Sequence, residues 1–367
     1  MKRYKKIMMF LFVFLSLVFI FVLPVSANTN KHYNELYSSI EDIENIENNE
    51  ILEKYGITLE NENWIENITS KNIFDIFVDL IKDGYKLPLA AFSSSAAVML
   101  ITAAFSSFLS KNEYYINFIT IAAAATVLIP LFSTLLGAGE TLSVVANFML
   151  SFIPIFIGIV ISGGFVTTAS VTSPILLFVS SAVAKISTDS FLPLMGGYLS
   201  LSICSNVSPV LKIGSLATSI KNAANWIMGI CTTIFLGVLS LTSTVSASSD
   251  SLALKTTRFV INGVPIVGSA ISESLGVTTA SAEFLKSSVG IWGVLAVVAI
   301  LLPSLITLLL WKFSLFLSAF TAEILGINNL SEFFKSINAV VSVTVGIIIF
   351  VGMLFVIGLA ILVGLKK

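Results

Sequence analysis

The chain has 367 residues, of which 56% are hydrophobic and 11% charged, and its mean hydropathy is +0.97. Because soluble domains carry about 25% charged residues, this composition excludes a water-soluble enzyme. Twenty Lys and Arg nearly balance twenty-one Asp and Glu, and no basic stripe indicates a nucleic-acid partner.

Few side chains of this sequence are suited to catalysis or to metal binding. One histidine, His32, and two cysteines, Cys204 and Cys231, are too few for a zinc site. Both cysteines lie in apolar runs, so we interpret them as small packing residues. Motifs for phosphate binding and zinc proteolysis are missing. We therefore expect no enzyme and no cofactor; the remaining enzyme hypothesis is an intramembrane protease that uses Asp189 and Asp250.

Residues 1–27 have the three parts of a signal peptide. Four basic residues precede the apolar run Ile7–Leu23, and small residues lead to a cleavage site expected after Ala27. An uncleaved anchor is the alternative, because this run of seventeen residues is near the lower limit for a spanning helix. Either interpretation places residue 28 outside the cytoplasm.

Residues 28–87 have a different composition, with thirteen Asp and Glu against five Lys. We interpret them as a small acidic extracytoplasmic region. Its second half predicts an amphipathic helix that begins near Ser70 and has three aspartates on its polar face: Asp75, Asp79 and Asp83. Helices that lie on anionic lipid usually carry Lys and Arg there, so docking against a protein is favoured. A solvated helix face is the alternative.

Residues 88–367 are predicted to form a helical membrane domain. Charge-free runs cover residues 87–110, 114–139, 141–184, 190–211, 222–249, 287–311 and 336–365. A spanning helix needs about twenty apolar residues, so six runs hold one crossing each. The run 141–184 holds two, with a break near Ser162-Gly163-Gly164. Alternating strand patterns are absent, which predicts an all-α, polytopic membrane protein with about eight transmembrane helices.

Charged residues of this domain fall near the ends of the predicted spans, as Glu140, Lys185 and Asp189 do. The absence of charge deep in a span disfavours proton-coupled transport. Five lysines lie in loops predicted to be cytoplasmic, namely Lys111, Lys212, Lys221, Lys312 and Lys335. Six Lys and Arg lie in the opposite loops, so the positive-inside rule does not fix the orientation.

Proline interrupts most of the apolar runs, at Pro130, Pro154, Pro174, Pro193, Pro209 and Pro303. Helices broken in this way can expose backbone groups to a substrate in the membrane. This feature favours an autonomous small-solute transporter or permease. The alternative is that Pro and Gly are simply commoner in membrane helices than in soluble ones.

Residues 248–288 form a connection that is long for a compact helical protein. Lys255 and Arg258 are three residues apart and share a helix face. Asn262-Gly263-Val264-Pro265 ends that helix, and Ile266–Leu275 predicts a short second element in which Gly268 permits close packing. We predict a re-entrant hairpin with a role in assembly or pore lining; an interfacial helix pair is the alternative. Its candidate residues are Lys255, Arg258, Asn262, Gly263, Pro265 and Gly268.

The same part of the chain resembles a known family. The resemblance is carried by Ile234-Phe235-Leu236-Gly237-Val238, Asp250, Lys255-Thr256-Thr257-Arg258-Phe259, Pro265-Ile266-Val267-Gly268, Leu285-Lys286, Gly290, Gly293 and Pro303. These residues are similar to the core of the stage III sporulation protein AE family of endospore-forming bacteria. The order of signal peptide, acidic region and polytopic domain is similar too.

The resemblance implies a multi-pass subunit of the complex that joins mother cell and forespore during engulfment. It implies residence in the mother-cell-derived outer forespore membrane. The expected partners are other membrane subunits of that complex, the lipid bilayer and a forespore-side partner across the intermembrane space. The complex resembles a secretion channel and is expected to support late forespore gene expression. The family has no established catalytic residues.

Overall fold

The computed structural model describes residues 70–106, 113–207, 214–262 and 268–364. The signal peptide predicted at 1–27 and the acidic residues 28–69 lie outside the described residues. Within the described ranges the chain is helical apart from short turns, so the predicted all-α class is confirmed.

Eight α-helices and one π-helical segment account for the described residues. In chain order they are α1 Ser70–Gly84, α2 Lys86–Ser106, α3 Glu113–Ser162, α4 Val166–Lys185, the π-helical segment Ile186–Ser190, α5 Phe191–Val207, α6 Gly214–Asn262, α7 Gly268–Ile324 and α8 Asn328–Gly364. The most extensive contacts are those between α7 and α8, and α3 packs on α7 and on α4.

Five of these helical segments are long and apolar enough to span a membrane. They are Ala124–Ser162, Val166–Ser190, Lys221–Thr242, Leu285–Ile324 and Asn328–Val363. A sixth is counted if α1 and α2, which meet at a 42° bend, form one broken span. The described chain therefore contains fewer spans than the eight predicted.

Part of the difference arises because charged residues do not end the helices as predicted, and part because α5 has 17 described residues and is not among the counted segments. Glu140 is exposed inside the continuous helix α3, which joins two predicted crossings. Lys185 and Asp189 are also exposed, and the chain passes them through the π-helical segment without a loop. A charged side chain on the outside of a helix leaves the backbone hydrogen bonds of the helix intact, so the helix continues past it.

Proline also interrupts the helices less than predicted. Pro130 and Pro154 lie inside α3, Pro174 inside α4 and Pro303 inside α7. A proline removes one backbone donor, and membrane helices tolerate this loss where neighbouring helices pack around them. The chain does break at the predicted Ser162-Gly163-Gly164, since α3 ends at Ser162 and Gly164 has a φ of 86°. That left-handed conformation favours glycine.

The centre of the bundle is an aromatic cluster between α3 and α7. Phe148 and Phe152 stack with their centroids 5.4 Å apart, and Phe152 stacks on Phe156 at 5.5 Å. Trp292 of α7 lies 5.8 Å from Phe152 between ring centroids. A Cβ on Gly293 would come within 2.5 Å of the Phe152 ring, so the missing side chain permits this close approach.

Helix α7 is also joined to α2 and α3 by polar side chains. Two hydrogen bonds join α7 to α3: Ser304 with Thr141 at 2.5 Å, and the Trp311 indole with the Thr134 hydroxyl at 2.9 Å. Two more join α7 to α2: the Ser314 hydroxyl with the Pro88 carbonyl at 2.6 Å, and Ser318 with Ser95 at 3.3 Å. In an apolar bundle such bonds add directional contacts where the hydrophobic effect between helices is weak.

The amphipathic helix predicted near Ser70 corresponds to α1. Asp75, Asp79 and Asp83 are exposed, whereas Leu80 is buried. The helix packs against α7 of its own chain, where Gly84 faces Thr307.

Three of the apolar segments are longer than a bilayer requires. Those in α3, α7 and α8 have 39, 40 and 36 residues. At about 1.5 Å per residue they are roughly 54–60 Å long, compared with about 30 Å for the hydrocarbon core. These helices therefore extend past the hydrocarbon on at least one side.

Candidate functional site

The predicted hairpin residues lie at the junction of α6 and α7. Lys255 and Arg258 are in the last turns of α6, and Asn262 is its final residue. Gly268 is the first residue of α7, so the segment predicted as a short element is the start of a 57-residue helix. Two further candidates, Gly263 and Pro265, lie outside the described residues.

A buried carboxylate lies five residues before Lys255 and caps another helix. Asp250 of α6 is 3% exposed and accepts hydrogen bonds from the backbone N–H groups of Thr167 and Thr168, at 2.8 and 2.9 Å. The Thr168 hydroxyl donates a third bond at 2.9 Å. These are the second and third residues of α4, whose own N-cap residue, Phe165, offers no side-chain cap. Asp250 therefore caps the N-terminus of α4, as an N-cap side chain would, although it is distant in sequence.

The electrostatic surroundings of Asp250 favour its charged form. Burial raises the pKa of Asp250, but the hydrogen bonds from Thr168 and Thr167 outweigh it, and the pKa lies below its ordinary value of 3.8. The N-terminus of a helix also carries partial positive charge, which stabilises an anion placed there. Asp250 is therefore a fixed negative charge beside the start of α4.

A buried cation lies next to this cap. Lys286 of α7 is 2% exposed, and its ammonium nitrogen is 4.1 Å from the centroid of the Phe165 ring. A cation over an aromatic face in a desolvated site is stabilised by about 2 kcal/mol. We call Asp250, Thr167, Thr168, Phe165 and Lys286 the cap cluster; it joins α4, α6 and α7.

Both Asp250 and Lys286 belong to the residues that carry the family resemblance, and Asp250 also belongs to the protease hypothesis, but a role in capping a helix was predicted for neither. The local signal for the cap is weak, because the acceptor and its donors are separated by more than eighty residues. The Gly163-Gly164 break followed by an apolar N-cap was the clue that α4 needs an external acceptor.

A second polar feature is a cavity of about 770 Å³ between α6, α7 and α8. Lysines from each of these helices line it, namely Lys221, Lys312 and Lys335, and we call it the lysine cavity. All three were predicted in loops on the same side of the membrane. The structure brings them together, but Lys312 is inside α7 and 9% exposed. Its ammonium group donates to the Ser342 hydroxyl at 2.6 Å.

The outer surface of α6 is a third feature. Only 11% of its apolar segment is buried, compared with 33% in α4 and 67% in α8. Large apolar side chains recur along the exposed side at helical spacing, and we call them the α6 outer face: Trp226, Ile230, Ile234, Val238 and Leu241. Cys231 is exposed on the same helix, so its interpretation as a packing residue is wrong.

None of these features provides an evident reaction centre. Among the residues that the structure describes, no group of three His, Cys, Asp or Glu side chains could hold a metal ion. Asp189 is exposed in the π-helical segment, whereas Asp250 accepts three hydrogen bonds in the cap cluster. The protease hypothesis requires both carboxylates in one buried site, and their surroundings differ.

Fold and composition define this chain as an all-helical membrane protein with several apolar spans. The family described as Stage III sporulation protein AE matches residues 49–366, which is most of the chain. The chain therefore belongs to the stage III sporulation protein AE family, as the resemblance predicted.

One relative has the same description. The chain is 28% identical over 164 residues to Stage III sporulation protein AE of Bacillus subtilis (strain 168). The aligned part covers 44% of this chain and 41% of the relative, so the chain spans less than half of that protein's length in the match. No solved structure matches the chain.

Proposed function

We propose that this protein is a membrane subunit of the channel-like complex that links mother cell and forespore and supports late forespore gene expression. Its family membership over residues 49–366 carries the proposal, because the family is named for a stage of sporulation. We place the protein in the outer forespore membrane with other membrane subunits as neighbours. A partner across the intermembrane space completes the proposed assembly.

The α6 outer face supports an assembly role. Trp226 is 73% exposed and Leu241 is 71% exposed, at opposite ends of the same apolar stripe. Lipid tails are as apolar as these side chains, so hydrophobicity alone does not select lipid or protein as the neighbour. Tryptophan is enriched in the centres of protein interfaces, which favours a second membrane subunit at this face.

The described helices give less support to an autonomous transporter. That hypothesis uses helices broken at proline, and Pro130, Pro154, Pro174 and Pro303 lie within continuous helices. We also propose that the protein is not an enzyme and catalyses no covalent reaction. The family description agrees with this proposal, because it names a developmental stage and no reaction.

An in-cell experiment tests the proposal. Deleting the gene in the sporulating host should abolish late forespore gene expression, measured with a fluorescent reporter, and the wild-type gene should restore it. The Trp226→Ala variant should restore less expression and should co-purify with fewer membrane partners. The matched control is Phe178→Ala on α4, since Phe178 is 74% exposed and lies outside the α6 outer face.

Cross-linking identifies the neighbours of α6 directly. In a Cys204→Ser background, Cys231 is the remaining cysteine of the chain. Cys231 should form cross-links to another membrane protein during sporulation. Normal late forespore gene expression after deletion would contradict the proposed function. Cross-linking of Cys231 to lipid analogues alone would contradict the proposal that the α6 outer face contacts another membrane subunit.

A further inference from the structure

The lysine cavity changes from polar to apolar along one stripe of α8. The residues of this stripe recur at helical spacing and are, in chain order, Lys335, Asn338, Ser342, Gly346, Ile349 and Met353. The first three have polar side chains, whereas the last three are glycine or apolar residues. The polarity of the wall therefore changes between Ser342 and Gly346, near the middle of the cavity.

The facing wall of α6 changes in the same direction. The residues that α6 contributes first are polar, and those further along are small or apolar: Lys221, Asn222, Asn225, Met228 and Gly229. A Cβ on Gly346 would lie 3.5 Å from the Met228 Cε atom, so the apolar parts of the two walls face each other. The cavity therefore has a polar end and an apolar end, and a ligand that fills both ends must be amphipathic.

The apolar end has the depth of one bilayer leaflet. Met353 follows Ser342 by eleven residues, which is roughly 16 Å at about 1.5 Å per residue. Half of a hydrocarbon core of about 30 Å is roughly 15 Å. Phe316 is 48% exposed and Phe320 is 54% exposed, so the cavity opens beside α7 toward the surrounding lipid. An acyl chain from one leaflet can therefore enter from the side.

The charged side chains at the polar end are engaged within the chain. Lys335 lies 3.5 Å from Glu323 in an ion pair, and the Lys312 ammonium group donates to the Ser342 hydroxyl at 2.6 Å. Lys221 and Lys312 have further interactions within the chain. The lining therefore needs no charge from a ligand.

Amide side chains provide the uncharged polar contacts of this end. Asn222 and Asn225 both line the cavity and are exposed. An amide has two N–H donors and an acceptor oxygen, and a hydroxyl group likewise donates and accepts. The cavity volume of about 770 Å³ is within the range of small-molecule sites, which is about 300–1,000 Å³. An uncharged, hydroxyl-bearing headgroup attached to an acyl chain matches both ends.

From these observations we propose that the lysine cavity binds one uncharged glycerolipid of the diacylglycerol class. Its headgroup hydroxyl forms hydrogen bonds with the amides of Asn222 and Asn225. One acyl chain packs along Gly346, Ile349 and Met353. The bound lipid fills the space between α6 and α8, and it thereby adds packing to the least buried of the apolar segments.

Lipid binding to the purified full chain tests this site. The protein is kept in a zwitterionic amine-oxide detergent, because a maltoside detergent has hydroxyl groups and an alkyl chain of its own. Native mass spectrometry should show dioleoylglycerol bound about fivefold more tightly than its 3-O-methyl ether, which keeps both chains and lacks the hydroxyl donor. Dioleoylphosphatidylglycerol should bind no more tightly than dioleoylglycerol, and free glycerol should not bind measurably.

Substitution of both asparagines tests the polar end. The double variant Asn222→Ala/Asn225→Ala should lose the fivefold preference for dioleoylglycerol over the ether. Both side chains are exposed, so the fold should be retained. The matched control is Asn147→Ala, at an exposed asparagine of α3 outside the cavity, which should keep the preference.

A larger side chain at Gly346 tests the apolar end. Gly346→Leu should weaken the binding of dioleoylglycerol and of its ether alike by about tenfold, since it displaces about two methylene groups of the chain. A Cβ at Gly346 makes only an ordinary contact with Met228. The matched control is Gly197→Leu on α5, where a Cβ meets nothing within 4 Å. If Gly346→Leu does not fold, the asparagine variant decides the question.

Four results would overturn the proposal. The first is equal binding of dioleoylglycerol and its ether by the wild type. The second is tighter binding of dioleoylphosphatidylglycerol, which would identify an anion site. The third is equal behaviour of the double asparagine variant and Asn147→Ala. The fourth is binding of free glycerol as tight as that of the lipid, which would identify a site for a soluble polyol. None of these results bears on the sporulation reporter, so the lipid site and the proposed function fail separately.

Discussion

The Asp250 carboxylate accepts the backbone N–H of Thr168, a residue 82 positions earlier in the chain, at 2.9 Å. This bond fixes the side of α6 to the beginning of α4, immediately after the turn that contains Gly164. Because Lys286 of α7 lies over the Phe165 ring at the same turn, three helices meet at one polar point. This contact adds to the packing that holds α6, the least buried of the apolar segments, against its neighbours.

Removing the carboxylate should destabilise the protein. We expect Asp250→Ala to lower the free energy of unfolding by about 2 kcal/mol, since an N-cap is lost and buried N–H groups lose their acceptor. Asp250→Asn should cost less, because its amide oxygen keeps one acceptor. Thermal unfolding in mild detergent measures both. Asp189→Ala, at an exposed carboxylate of the π-helical segment, should change stability by less than about 0.5 kcal/mol.

The contribution of Asp250 should also depend on pH. Burial raises the pKa of Asp250, but the threonine hydrogen bonds lower it by more, so the folded pKa is below the ordinary 3.8. A lowered pKa means that the stabilisation is complete above pH 3.8 and is lost as pH falls through the folded pKa. The Tm difference between wild type and Asp250→Asn should therefore shrink between about pH 6 and about pH 3. A difference that grows on acidification would contradict the assigned hydrogen bonds.

Some of this architecture is predictable from local sequence. Apolar runs in a membrane must form helices because backbone groups have no water to bond, and this predicts the all-α class. The Gly163-Gly164 break is equally local, since glycine accepts a left-handed φ that other residues resist. The amphipathic character of α1 follows from the helical spacing of its apolar residues.

Features that depend on tertiary contacts were not predictable in the same way. Lys312 ends a charge-free run and therefore indicated a loop, yet it lies in a continuous helix, where its ammonium group donates a hydrogen bond to the Ser342 hydroxyl of α8. Glu140 was also predicted to end a span, yet it is exposed on the side of α3 and the helix extends past it. The cap cluster and the lysine cavity both join residues far apart in sequence, and only the packing of α6 against its neighbours brings them together.

Close packing of α7 on α3 should make Gly293 intolerant of any side chain. A Cβ at Gly293 would lie 2.5 Å from the Phe152 ring, and Phe152 is fully buried between Phe148, Phe156 and Trp292. Overpacking of this kind costs about 1–3 kcal/mol, so Gly293→Ala should lower the Tm. The matched control is Gly137→Ala in α3, where a Cβ would meet nothing within 4 Å. That change should be neutral or stabilising by up to about 1 kcal/mol, because alanine is the better helix former. Equal effects of the two substitutions would show that α7 and α3 are less closely packed than described.

The bond between the Trp311 indole and the Thr134 hydroxyl should contribute directly to the packing of α7 on α3. The indole N–H donates at 2.9 Å, and the same hydroxyl donates to the Pro130 carbonyl at 3.1 Å. Double-mutant cycles in a membrane protein give about 0.6 kcal/mol for such bonds, with a maximum near 1.7 kcal/mol. We expect a coupling energy in this range between Thr134→Val and Trp311→Phe, measured by unfolding in detergent. Trp226→Phe provides the matched control, since Trp226 is exposed on α6 and should show no coupling to Thr134→Val. Coupling as large with Trp226 as with Trp311 would indicate a global effect of the substitutions and would contradict a direct bond.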